Sequence, residues 1–141
     1  MVSLQDHDYP RSLITAWTII ERLLDLKWSE YMKGHRKVTI EGEEISFINS
    51  DRLKKLEGRD YTASVRTEVL SLLGILSFEV YKDMENIRKV RNGWMDGWMD
   101  GWMHELKQVK MSDARDAIKV VSILFESAYK VVIPKGLSLS L

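Results

Sequence analysis

The chain has no cysteine, which excludes disulfides and thiolate metal sites. It has only two prolines, Pro10 and Pro134, one near each end, so the long stretch between them is free of the strongest helix breaker. Net charge is missing too, because 21 Lys and Arg balance 21 Asp and Glu. A protein that coats nucleic acid nonspecifically carries a basic excess, so any action on RNA has to come from a local site. No apolar run approaches the roughly 20 residues of a membrane helix. The opening MVSLQDHDYPRS lacks the basic-then-apolar pattern of a signal peptide. A cytoplasmic protein with no membrane contact is the expectation. Histidine is scarce, at His7, His35 and His104, and the first two read as surface residues. No His-x3-His pair, carboxylate cluster or glycine-rich phosphate loop occurs at ligand spacing, so neither metal nor cofactor is expected. Asp96 and Asp100 share a face of a helix, but two carboxylates without histidine make at best a weak cation site.

What is there is helical. The 141 residues are 45% apolar and 30% charged, an ordinary globular balance that suits one domain spanning 1–141. Leu13, Ala16, Trp17, Ile20, Leu23, Leu24 and Trp28 recur at helical spacing and predict a first helix from Ser12 to about Met32, stopped at Gly34. Residues Lys37 to Ile48 alternate with period two around Glu41-Gly42-Glu43, which predicts a short hairpin. Asn49-Ser50-Asp51 then cap a short helix through Leu56 that Gly58 ends. Thr62 to Leu76 predicts a further helix with Val65, Val69, Leu72, Leu73 and Leu76 on one side. After a break near Gly74 or Ser77, Phe78, Tyr81, Ile87 and Val90 carry the pattern towards Arg91. Ser112 or Asp113 caps the last helix, whose buried face is Ala117, Val120, Val121, Leu124, Phe125, Ala128 and Val132, and Pro134 and Gly136 stop it. Glu21, set among apolar neighbours on the first helix, reads as half exposed. The expected fold is an all-α, up-down bundle of four to five helices with a small hairpin after the first.

Between Arg91 and Glu105 the chain reads RNGWMDGWMDGWMHE. Gly-Trp-Met-Asp occurs at 93–96 and 97–100, and Gly-Trp-Met-His follows at 101–104. A four-residue period nearly matches the helical turn, so Trp94, Trp98 and Trp102 would form a stripe drifting about 40° per unit. Three glycines oppose that helix at roughly 1 kcal/mol each relative to alanine, and aromatic pairs at i, i+4 offset a part of this. Helix and loop are therefore balanced. The tryptophans could stack on unpaired bases, but Asp96 and Asp100 would repel phosphates. The favoured reading is duplicated sequence in which one copy packs in the core and the others are tolerated.

Without two copies of the tetrad the string is Arg91-Asn92-Gly93-Trp94-Met95 followed by His104. That string resembles the R-x4-H motif of HEPN domains, often written with asparagine directly after the arginine. The helix entering through Glu85-Asn86-Ile87-Arg88-Lys89-Val90 and the helix opening at Ser112-Asp113-Ala114 match in order; as a motif the resemblance covers residues 85–121. It implies a metal-independent endoribonuclease of the toxin or phage-defence kind. The implied form is a symmetric homodimer whose two motifs face one cleft, with an antitoxin or defence-system protein as a further partner. By resemblance, Arg91 stabilises the phosphate, His104 does acid/base work, and Asn92 orients the phosphate or the histidine. The chemistry suits those residue types. Histidine titrates near neutrality and exchanges a proton with a ribose 2′-hydroxyl or a leaving oxygen, and arginine grips a phosphate bidentately. Read without the resemblance, Arg91 and Asn92 are a solvated helix end and its cap, and His104 an exposed polar residue.

The chain departs from the family pattern in one respect. The motif sets its two residues five positions apart, about 7.5 Å of helix rise, whereas His104 follows Arg91 by thirteen; a continuous helix would add about 12 Å and about 80° of rotation. Catalytic groups have to sit within roughly half an ångström of their working positions, so this form is expected to be impaired. The motif would be restored only if the extra residues loop out or a partner chain supplies the histidine. The alternative is a non-enzymatic dimeric helical module that binds a partner through the Trp/Met surface. A role as acceptor of nucleotidyl transfer is weaker, because no tyrosine lies between Arg91 and Glu105.

Overall fold

A computed structural model describes residues 8–99 and 109–129, without the side chains of 96–99. Over those residues it is an all-α bundle of five helices with one small antiparallel hairpin after the first. Helix α1 spans Tyr9–Gly34. It starts earlier than the apolar periodicity indicates, because Asp8 caps it by accepting from the Arg11 N–H at 3.2 Å and Pro10 occupies the first turn, where a missing N–H costs nothing. The C-cap residue His35 returns its N–H to the Met32 carbonyl. Its ring stacks on Tyr31 with centroids 4.0 Å apart and is exposed, as expected of a surface histidine. Glu21 is half-buried.

The hairpin pairs β1, Lys37–Ile40, with β2, Glu43–Ser46, in the register Lys37↔Ser46 to Ile40↔Glu43. Both turn residues, Glu41 and Gly42, have positive φ (52° and 81°), the two-residue turn that matches the strands' twist. The strands are largely exposed. The buried Ile48, which follows them, ties the hairpin's exit to the core.

Helix α2, Ser50–Leu56, is capped by Asn49, and α3, Ala63–Leu72, by Thr62. At the end of α3, Gly74 adopts φ 74° while the Ile75 N–H reaches the Leu70 carbonyl and the Gly74 N–H reaches that of Ser71. This pair of bonds satisfies orphan carbonyls and ends the helix. The inward face of α3 corrects the expectation. Leu70 and Thr67 are buried, while Val65, Leu72 and Leu73 are exposed, Leu72 at 85%. Val69 and Leu76 do reach the core as expected, and the expected break falls at Gly74, whose left-handed turn ends α3 at Leu72 rather than near Leu76, so residues beyond Leu72 no longer share its face.

Helix α4 spans Phe78–Met99 and α5 spans Met111–Tyr129. Ser77 caps α4 by accepting from the Val80 N–H at 3.2 Å. α5 begins one residue before the expected Ser112. Asp113 caps it from the first turn, taking the Lys110 N–H at 2.9 Å, which is half of a capping box. Val132, Pro134 and Gly136 lie outside the described residues.

The core centres on α1, which packs most extensively against α5 and also meets α3 and α4. Leu13, Ile20, Leu24 and Trp28 of α1 are buried against Val80, Met84 and Ile87 of α4 and Ala117, Val120 and Leu124 of α5. Trp28 does more than fill space. Its indole N–H donates to the Leu56 carbonyl at 3.0 Å, so the end of α2 is tied to α1. Lys27, also buried, donates to the Ser127 hydroxyl across the α1–α5 contact.

Candidate functional site

The resembled motif starts on α4. Along that helix Val80, Met84 and Ile87 are buried and Trp94 is half-buried against the same core. Those positions advance by four, three and seven residues, which makes one helix stripe. Arg91, four after Ile87 and three before Trp94, stands in that stripe. Arg91 is half-buried there, so an arginine stands where the pattern calls for an apolar side chain, and a cation partly drawn out of water ordinarily has a carboxylate partner.

Arg91 has none among the described residues. Its Nη1 donates to the Asn92 Oδ1 at 2.9 Å, and its Nε is buried without a hydrogen-bond partner. Asn92 is half-buried beside it. The arrangement is unlike that of Arg88, one turn earlier, whose Nη2 meets a Glu85 carboxylate oxygen at 2.8 Å. That hydrogen bond to the Glu85 carboxylate holds the Arg88 guanidinium even more firmly protonated than usual. Two further groups on α4 have partners on neighbouring helices. Lys119 of α5 lies 3.8 Å from Asp83, and the Tyr81 hydroxyl donates to Glu68, which pushes its pKa above the ordinary phenol value. Partial desolvation and the nearby Asp83 push the Asp116 carboxyl above the usual carboxylate range. An arginine held by a neutral amide keeps its full charge and most of its donors for an incoming anion.

Arg91 and Asn92 are therefore neither a helix end nor a cap. Both lie inside α4, which continues unbroken for eight or more residues past Arg91 to Met99. The first tetrad, 93–96, and the first three residues of the second are helical, and the rest of the repeat lies outside the described residues. Trp94 packs on the core, in keeping with one copy of the repeat being structural. Trp98 is on the helix but its side chain is not described, and Trp102 and His104 lie outside the described residues, as does His7. The structure thus brings Arg91 and Asn92 together and leaves the third expected residue unplaced.

Val80 and Met84, which seat α4 against α1, were not among the residues the periodicity singled out. Counting back from Ile87 by three and four would have found both. No group of three or more potential metal ligands occurs among the described residues, and none of their helices is long and apolar enough to cross a membrane. Comparison with protein-family models, with curated proteins and with solved structures finds no match to this chain.

Proposed function

We propose that the chain is a metal-independent endoribonuclease of the HEPN type, acting as a homodimer in a toxin or phage-defence system in the cytoplasm, and impaired in this three-tetrad form. The observation that carries the reading is Arg91. It is a cation in the core-facing stripe of α4, coupled to the adjacent Asn92 and unmatched by any carboxylate among the described residues. Leaving a guanidinium in such a place costs stability that an apolar residue would not. Its presence there is accounted for by a bound anion, and a phosphodiester fits the planar donor fork.

In the reaction the ribose 2′-oxygen attacks phosphorus and loses its proton, the bond from phosphorus to the 5′-oxygen breaks, and that oxygen takes up a proton. The products are a 2′,3′-cyclic phosphate and a 5′-hydroxyl. Arg91 offsets the charge gathering on the phosphoryl oxygens, Asn92 orients it, and His104 carries the proton once the tetrads no longer separate it from Arg91.

The test compares RNA cleavage by the protein as written with that by a form lacking Asp96 to Met103, which restores R-x4-H. The contracted form should cut RNA and leave cyclic phosphate ends, and His104→Ala within it should abolish the cut. If neither length cuts any RNA, the ribonuclease reading is wrong and a partner-binding module becomes the better account.

A further inference from the structure

Because α4 is continuous to Met99, positions beyond Arg91 can be counted on a helix. The fifth position after Arg91, where the resembled motif carries histidine, is 96, and the residue there is aspartate. Position 96 is also four after Asn92, hence on the same face and one turn further along. The Arg91 guanidinium is held towards Asn92 by the 2.9 Å hydrogen bond. That bond joins the arginine to a residue on the face that position 96 shares, while His104 stands eight positions later in the chain.

From this we infer that position 96 of α4 is the acid/base position of the site in this chain, and that cleavage is withheld because an aspartate stands there. The inference rests on the ribonuclease reading and names what switches the site off. Two features of a carboxylate make it the wrong group. It is ionised at neutral pH, so it has no proton to give to the departing 5′-oxygen. Its charge also opposes a phosphate that Arg91 would otherwise attract. The tetrad repeat acts here as a substitution more than as a spacer. Each added unit leaves the helix through residue 95 unchanged and replaces the histidine at the next position by aspartate.

This separates two explanations that the length of the insertion alone confounds. If residue identity at position 96 decides, then Asp96→His in the chain of unchanged length should restore cleavage. The experiment places four purified proteins on one RNA substrate: the protein as written, the contracted form, Asp96→His and Asp96→Asn. Circular dichroism confirms that each is folded. General acid/base catalysis contributes about 100- to 10,000-fold, so Asp96→His should cut at least about 100-fold faster than the starting protein. It should leave cyclic phosphate ends, show a rate that titrates near neutral pH, and lose activity when Arg91→Ala is added. Asp96→Asn removes the charge without supplying a proton carrier and should stay inactive. If the contracted form cuts and Asp96→His does not, the inference is overturned while the ribonuclease reading stands. If Asp96→Asn cuts as well as Asp96→His, relief of charge is the cause and the acid/base assignment fails. If no form cuts, the reading beneath the inference falls with it.

Discussion

Arg91 sits where a stable fold would place leucine. Val80, Met84, Ile87 and Trp94 mark the core-facing stripe of α4, and the guanidinium between them has a buried Nε with no acceptor. An unsatisfied buried donor costs on the order of 1–3 kcal/mol, and stabilising changes at a working site commonly cost function. Arg91→Leu should therefore leave the fold as stable or raise it by about 1 kcal/mol, seen as an equal or higher melting temperature. In the contracted form the same change should abolish RNA cleavage. A drop of several degrees instead would show that Arg91 is a structural group whose other contacts outweigh its desolvation. Both the residue and the motif could be read in the sequence, but the stripe position could not. The pattern pointed to Phe78, Tyr81, Ile87 and Val90, yet Phe78 is 68% exposed and the buried residues of the first turns are Val80 and Met84. Where two apolar sets are offset by a fraction of a turn, only the neighbouring helices choose between them.

At the scale of elements, turns and caps follow local chemistry closely. Asn49 caps α2, Thr62 caps α3 and Asp113 anchors the start of α5, each with a side chain suited to an orphan N–H. Gly42 and Gly74 both hold positive φ. A Cβ at Gly74 would meet nothing within 4 Å, so its effect is purely conformational. Gly74→Ala should then destabilise the protein by about 1 kcal/mol, the cost of the left-handed region to a residue with a Cβ, measured by chemical denaturation. An unchanged midpoint would mean that the α3–α4 corner can end in another way. The repeat was the element least decided by its own propensities, since glycine opposes the helix and the Trp pairs favour it. Attachment to the core settled the first copy: Trp94 is packed there, and α4 carries on from it to Met99.

At the scale of the molecule, the described surface retains large apolar groups at Leu72, Leu73, Ile75 and Phe78, along the corner between α3 and α4. A zero net charge leaves little long-range repulsion between copies. Under the proposed function two motifs share one cleft, so sedimentation should find a particle of twice the 16.4 kDa chain mass. It should be present in both the contracted and the full-length protein. A monomer in both, with cleavage by the contracted form, would remove the shared cleft and leave a one-chain site. The absence of a basic excess has a parallel consequence, because cleavage should depend only shallowly on salt when few phosphates are gripped.

The helical class, the hairpin with its Glu41-Gly42 turn and the Arg91-Asn92 pair were all determined by the sequence itself, because each rests on interactions within a few residues. The scarcity of proline, period-3.6 patterning, cap chemistry and the need for positive φ act locally and are written in the residue types. The tertiary structure alone decided which face of α3 turns inward, where α4 is seated, and that the repeat is helical to Met99. Those outcomes depend on burial against α1 and α5, and a periodic segment offers several nearly equivalent faces until a neighbouring helix covers one of them.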